Sequence, residues 1–325
     1  MSQLSPAAMA KHARTTLALA AAGAMALFSS AASADFPSGT ITYLNPFSPG
    51  GECDIVQRMQ QNPMMELMGV DVVIEYREGG GGAVGWSHVK DQPADGYTFA
   101  CFSIPHIIAQ PMTRDPGYQT DELHVLYTYH STPQVLIVRD DSPFETLEDF
   151  IEAAREAPGS ITVGGTGTAS GNHLAAVRLM RAADIPVTWI PFPGSGPTIP
   201  ALEGGHVTAL MTNSTMAVQN SDKFRPLAVA TEEEAEMFPG VPTFRELGYD
   251  VVEAIYRGAL GPRGIPEENI AAIVETLNTI NRDQAERKVE MGFQPVFYGP
   301  DESAELIERL KVEYEELLGE LGMLN

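Results

Sequence analysis

The chain has 325 residues, 44% of them apolar, and carries 43 acidic against 20 basic side chains, for a formal net charge of -23. The apolar fraction is that of a globular protein with real cores, and the length suits two lobes of ordinary domain size. The charge excludes nucleic acid as a natural partner, because neutralising phosphates requires a basic face.

Taken in order, Lys11 and Arg14 precede an apolar run, Thr15 to Phe28, that is too short to span a bilayer with ease. Ala32-Ser33-Ala34 follows as a small-residue cleavage site. The pattern reads as a secretory signal peptide over residues 1–34, with an exported mature chain starting near Asp35. No later apolar run is long enough for a transmembrane helix.

A β-rich run, Thr40 to Leu44, then feeds Pro46-Phe47-Ser48-Pro49-Gly50-Gly51-Glu52-Cys53-Asp54, and a helical pattern, Ile55 to Met68, leaves it. This is a strand, a tight turn and a helix N-terminus. Free N–H groups at such a turn favour anions, and Asp54 is placed to cap the same amides. Taken alone, the stretch reads more simply as a plain strand-to-helix turn. Pro63 predicts a kink in the helix.

The strand Val70 to Tyr76, the run Gly79-Gly80-Gly81-Gly82, a helix Ala83 to Asp91 and a strand Tyr97 to Phe102 complete a βαβαβ unit with a parallel sheet. Gly80, Gly82 and Gly85 match G-x-G-x-x-G. The next strand ends Cys101-Phe102-Ser103 without the acid that would hold a ribose, so a dinucleotide site is rejected. Cys53 and Cys101 are the only cysteines. An export compartment allows a bridge, but two separate buried thiols are the favoured reading, since spacing along the chain does not fix a Cα separation.

Ser103 to Met112, with Pro105 and His106, reads as a loop or helix start. A long apolar β-rich run covers Val125 to Val138. A helix Leu147 to Ala157 and a strand Ser160 to Val163 lead to a second small-residue turn, Gly164-Gly165-Thr166-Gly167-Thr168-Ala169-Ser170-Gly171-Asn172-His173, before a helix Leu174 to Ala183. The second half thus repeats the first half's device, and Thr166, Thr168 and Ser170 add hydroxyl donors. Next come strands Val187 to Pro191 and Val207 to Met211, separated by a helix Thr198 to Glu203. Thr212-Asn213-Ser214 forms the polar end of the second strand. A strand Arg225 to Ala230, a loop with a short helix over Pro239 to Gly248, and a strand Val251 to Leu260 follow. Helices Glu267 to Arg282 and Asp301 to Leu321, with Phe293 to Phe297 between them, close the chain.

Two opposed helix N-termini with hydroxyls can hold a carboxylate without an arginine, because amide bonds to an anion are charge-assisted. Arg257 either adds an ion pair to such a site or bonds hinge carbonyls, and the sequence leaves both open. His173 begins a helix and reads as a packing or capping group, while for His106 a ligand role and a structural one stay open. A hydrolase would need Ser170 or Ser195 activated by His106 or His173. There is no G-x-S-x-G elbow, H-E-x-x-H or paired-cysteine metal motif, so the chain is read as a non-enzyme with no cofactor and no metal.

Six motifs occur together in order: Pro46-Phe47-Ser48-Pro49-Gly50-Gly51 with Asp54; Arg77 with the glycine run and Gly85; Asp95-Gly96-Tyr97-Thr98; Gly165-Thr166-Gly167-Thr168 with His173-Leu174-Ala175; Pro191-Phe192 with Gly194-Ser195-Gly196; and Phe238-Pro239-Gly240-Val241-Pro242-Thr243. From about Phe36 to its end the chain resembles the periplasmic solute-binding proteins of tripartite tricarboxylate transporters, the TctC or Bug family. The resemblance implies an α/β, two-lobe, type II periplasmic-binding-protein (Venus-flytrap) fold with mostly parallel sheets. Its lobes would be residues 35–138, residues 139–253, and a return through residues 254–325, with crossings near Val138 and near Ala254 to Leu260.

The resemblance also implies a periplasmic carrier that captures a small carboxylate in the interlobe cleft and delivers it to membrane subunits, acting as a monomer. A sensor that docks on a signalling receptor is the alternative, and a secreted hydrolase the second. Carried onto this chain, the ligand would meet Ser48, Pro49, Gly50, Gly51 and Asp54 on one side and Thr166, Gly167, Thr168 and Ser170 on the other. Ser103 and Asn213 would face the cleft between them. Glu52-Cys53, Glu78, Thr208 and Thr212 depart from the family's usual residues, which bears on ligand identity rather than on fold.

Overall fold

The computed structural model describes residues 36–167, 170–192 and 195–325. The signal-peptide segment, Thr168 and Gly194 lie outside the described residues. Gly39–Asn325 forms one compact unit.

The βαβαβ unit forms as its periodicity predicts. Strands β1 (Ile41–Asn45), β2 (Val72–Tyr76) and β3 (Thr98–Ile104) are parallel, in the order β2-β1-β3. Helices α1 (Glu52–Met68) and α2 (Ala83–Lys90) make the crossovers, and α1 runs through Pro63 as one helix. Ser103 ends up in β3 rather than in a loop, and α3 (His106–Thr113) follows Pro105.

Strand β4 (Leu123–Arg139) is the long apolar run. Its first part, Leu123 to Pro133, pairs antiparallel with β9 (Ala254–Pro262), which in turn pairs with β3. From Gln134 onward it pairs antiparallel with β7 (Ala209–Asn213) and β8 (Phe224–Val229). Beyond β7 lie β5 (Thr162–Thr166) and β6 (Thr188–Phe192), parallel to one another and to β7. The outer β–α–β parts are therefore parallel, as expected, while the shared strands β4 and β9 join the two lobes antiparallel. At the changeover the backbone of Gln134 bonds both Glu253 (2.9 Å) and Ala230 (2.8 Å), so β4 changes partners beside the residue that leads into β9.

Strand β4 is buried on both faces, and so reads as continuous apolar sequence. Leu136 and Val138 pack in one cluster with Phe150, Val163, Met211 and Phe244, while Val135 and Ile137 pack in another with Leu202, Leu210 and Phe224. A third core holds Trp86, Phe102, Ile107, Tyr118 and Tyr314. Helix α5 (Gly171–Ala182) belongs to two cores. Leu174 and Val177 face the third, while Ala175 and Leu179 face the first.

The remaining helices are α4 (Leu147–Glu156), α6 (Thr198–Glu203), α7 (Ser214–Gln219), α8 (Glu267–Asp283), α9 (Ala285–Glu290) and α10 (Pro300–Glu320), with β10 (Gln294–Tyr298) on β4. Helices α7 and α9 have no counterpart in the sequence reading, each being too short to show a helical period. The short helix expected within Pro239 to Gly248 is replaced by turns.

Two local expectations are corrected. Gly164-Gly165-Thr166 is not turn but the end of β5, and α5 starts at Gly171, not Leu174. The glycines are there for close packing. A Cβ on Gly165 would lie 2.3 Å from the Trp189 ring, and one on Gly164 2.9 Å from Leu210. Cys53 and Cys101, read as separate thiols, are joined in a disulfide. The α1 N-terminus packs over β3 and brings their Cα atoms to 6.1 Å, within bridging range.

Candidate functional site

The first turn begins where β1 stops. The Asn45 side chain accepts the Phe47 N–H (2.9 Å) and bends the chain. Gly50 then turns it with a φ of 82°, a conformation that favours glycine. Asp54 pins the loop back by accepting the Gly50 N–H at 2.7 Å and further bonds from Tyr76 (2.5 Å) and Arg58 (2.9 Å). Burial alone would raise the Asp54 pKa. The Tyr76, Gly50 and Arg58 contacts outweigh it and hold the carboxyl below its usual range. Ser48 donates to Glu78 at 2.5 Å, and Ser48, Pro49 and Gly50 are exposed. Two of the expected anion donors of this turn, the Ser48 hydroxyl and the Gly50 N–H, are thus engaged by the chain's own acids.

The second turn starts at Thr166. Its backbone N–H (3.1 Å) and its hydroxyl both donate to the Asn172 carbonyl oxygen. Ser170 caps α5. Its hydroxyl accepts the His173 N–H (3.3 Å) and donates to the carbonyls of Thr166 and Gly167. Gly167 donates its N–H to the Phe192 carbonyl (2.9 Å). The His173 ring packs on Trp189, 5.1 Å between centroids, which fits the packing role read for it.

Between the turns lies a buried polar chain. The Asn172 side-chain amide donates to Gln134 and to Asn213 (3.0 Å), and Gln134 also donates to the same Asn213 oxygen (3.3 Å). With that oxygen fixed by two N–H donors, the Asn213 NH2 group must point the other way. It points at Glu52, at 3.4 Å. The Glu52 carboxylate also accepts from the Thr215 hydroxyl (2.5 Å) and forms an ion pair with Arg257. Arg257 is steadied from behind by Thr132 (3.1 Å), which in turn bonds the Ile255 carbonyl (3.3 Å). The Glu52 and Arg257 side chains are only 14% and 10% exposed.

Ser103 faces Arg257 across the β3–β9 pair, and its hydroxyl lies 3.2 Å from His106 Nδ1. Burial, with the positive charges of Arg257 and Arg114, pushes His106 down to about 4. It is therefore neutral near pH 7. Phe47 and Trp86 stand beside it, with ring centroids 6.0 and 6.5 Å away, and give this end an aromatic wall.

Of the residues expected at the site, Thr166, Asn213 and Arg257 belong to or adjoin one network, and Ser103 with His106 abuts its Arg257 end. Ser170 and Gly167 shape its second turn. Ser48, Pro49, Gly50, Gly51 and Asp54 build the first turn, whose contribution is to place Glu52 at the first position of α1. Arg257 forms an ion pair with the Glu52 carboxylate and donates to the Thr132 hydroxyl. The sequence reading did not assign Thr132, Gln134, Asn172, Thr215 or Glu52 to the site. The signal for Thr132 and Gln134 was present, as polar residues inside a run otherwise patterned for a fully buried strand. Asn172 sat within the quoted second turn.

Among the described residues no helix is long and apolar enough to cross a membrane, and no three His, Cys, Asp or Glu residues group as a metal site. Residues 56–322 match the model of the tripartite tricarboxylate transporter family receptor, TctC. A curated relative from Pseudomonas sp. strain P51, the "UPF0065 protein in tcbD-tcbE intergenic region", is 30% identical over 298 residues, covering 88% of this chain and 87% of its own. Among solved structures, R. palustris Rpa4515 with adipate is similar at TM-score 0.79 and 26% identity, covering 89% of this chain and 99% of that one. MatC from Rhodopseudomonas palustris with bound malate is similar at TM-score 0.73 and 25% identity, over 87% and 100% of the two chains.

Proposed function

The chain belongs to the TctC family of tripartite tricarboxylate transporter receptors, and from that premise we propose that it captures a small carboxylate between its lobes in the periplasm and hands it to the membrane subunits of such a transporter. The observation that carries this reading is the interlobe network itself. Arg257, Thr215 and Asn213 converge their donors on one point, and a carboxylate, that of Glu52, already lies there. Three donors of this kind, one of them a full cation, suit a carboxylate group. The relatives of known structure with adipate and with malate support a dicarboxylate.

On this reading the lobes divide as residues 35–138, 139–253 and 254–325, and closure is a hinge motion about β4 and the Glu253–Ala254 return. Residues 1–34 direct export and are removed near Ala34. Thr166, Ser170, Ser103 and His106 line the cleft as shaping and hydrogen-bonding groups, while the turn with exposed Ser48, Pro49 and Gly50 forms its rim. The chain acts as a monomer and is not an enzyme. Ser103, whose hydroxyl lies 3.2 Å from His106 Nδ1, is fully buried in a strand, a poor position for a nucleophile.

The test is a thermal-shift and calorimetric screen of the mature protein against mono-, di- and tricarboxylates, including malate and adipate. A bound ligand raises apparent stability with the logarithm of its concentration over Kd. A dicarboxylate that binds wild type and is lost in Arg257→Ala is the expected result. Binding of carboxylates with undiminished affinity by Arg257→Ala would remove this cleft from the function.

A further inference from the structure

The contacts of Glu52 are those a bound ligand would make. Its carboxylate comes from lobe 1, at the first position of α1. Its partners are Asn213 and Thr215, at the end of β7 and the start of α7 in lobe 2, and Arg257 on the returning strand. Two of the three donors are held by something other than Glu52. The Asn213 oxygen is fixed by Asn172 and Gln134, and the Arg257 guanidinium by Thr132. The seat is thus pre-oriented for an anion whether or not Glu52 occupies it. The next residue, Cys53, is bonded to Cys101 of β3, which fixes the backbone from which Glu52 reaches across.

We infer that Glu52 is a tethered carboxylate that occupies the cleft's own anion seat and draws the lobes together when no solute is present, so that an incoming carboxylate must displace it. This inference rests on the reading of the cleft as a carboxylate site and adds its regulation. Arg257, Thr215 and Asn213 aim their donors at one point, and the Glu52 carboxylate fills it, so Glu52 and a solute carboxylate exclude one another there. A tethered group competes at an effective concentration on the order of millimolar. Anions that make only the one contact are therefore screened out, and only solutes that add contacts elsewhere in the cleft replace Glu52. Apparent affinity is lowered by the fraction of seats that Glu52 holds.

The experiment is small-angle scattering of the mature protein with acetate as the probe. Without added anion, Glu52→Ala and Glu52→Gln should show a larger radius of gyration than wild type, with unchanged circular dichroism. Glutamine keeps the shape and tests the charge alone. Acetate at about 100 mM, well above the millimolar effective concentration of the tether, should restore the compact value in Glu52→Ala. It should leave wild type unaltered and should fail in the Glu52→Ala/Arg257→Met double variant. If Glu52→Ala and Glu52→Gln are as compact as wild type, Glu52 does not close the cleft and the inference falls. It falls equally if acetate does not restore Glu52→Ala. If acetate does restore it while malate, adipate and the other carboxylates bind no variant, self-closure stands and the solute class proposed above is what fails.

Discussion

At the return crossing, Glu253 is buried just before β9. The Tyr314 hydroxyl (2.9 Å) and the Arg178 guanidinium (3.1 Å) donate to its carboxylate, and Arg178 also reaches Glu313 (3.2 Å). Burial raises the Glu253 pKa to about 7 against the opposing pull of Arg178 and Tyr314, with Glu313 adding to the rise. In the unfolded chain the group ionises near 4.5. Below that pH both states are protonated and Glu253 contributes no pH dependence. Between about 4.5 and 7 the unfolded state gives up its proton and the folded state keeps it, so stability falls as pH rises. Above 7 the effect levels off. A shift of this size corresponds to about 3 kcal/mol across the window, or roughly 6 °C in Tm at about 2 °C per kcal/mol for a chain of this length.

Glu253→Gln removes the titration. It also leaves one of the two donors without an acceptor, which is a pH-independent offset. The Tm difference between Glu253→Gln and wild type should therefore become more favourable to the variant by several degrees from pH 5 to pH 7, and then stay constant to pH 8. His106 and His130, both lowered chiefly by burial, work in the opposite direction as pH falls, but they are common to both proteins and cancel. A Tm difference that is flat from pH 5 to 8, or that slopes the other way, would refute the reasoning.

Three further outcomes follow from the structure. Arg257→Met strands the Glu52 carboxylate and should cost about 2–4 kcal/mol in urea unfolding, whereas Glu52→Gln/Arg257→Met recovers most of it; additive effects in that cycle would deny the coupling. Cys53→Ala/Cys101→Ala opens a cross-link between residues 48 apart, and chain entropy puts the loss at up to about 4 kcal/mol. Its measure is the urea midpoint against wild type, and equal midpoints would argue against the bridge. Gly258→Ala would set a Cβ 2.0 Å from the Tyr127 carbonyl and 2.4 Å from the Phe102 ring. It should destabilise by more than about 3 kcal/mol, and a Tm within about 1 °C of wild type would show that β9 can move aside.

The sequence by itself determined much of the architecture. Local periodicity marked β1 through β3 with their helices, the long apolar β4, and both small-residue turns, because alternation and turn chemistry are properties of neighbouring residues. The order of six short motifs was enough to indicate the family. What the sequence did not determine is who meets whom across the cleft. Glu52 and Arg257 lie far apart in the chain, and they pair because β9 returns beside β3 and carries Arg257 to the level of the α1 N-terminus. Cys53 meets Cys101 because α1 packs over β3, and that packing, not spacing, sets the Cα separation. Gln134 looks like an exception in an apolar strand until β7 and α5 bring Asn213 and Asn172 to it. The turn hydroxyls and amides were legible as donors, but only the folded chain shows that its own groups have already taken many of them: carboxylates at the first turn, and the Asn172 amide and backbone carbonyls at the second. Donor identity is local, whereas donor occupancy depends on which distant segment the tertiary structure lays alongside.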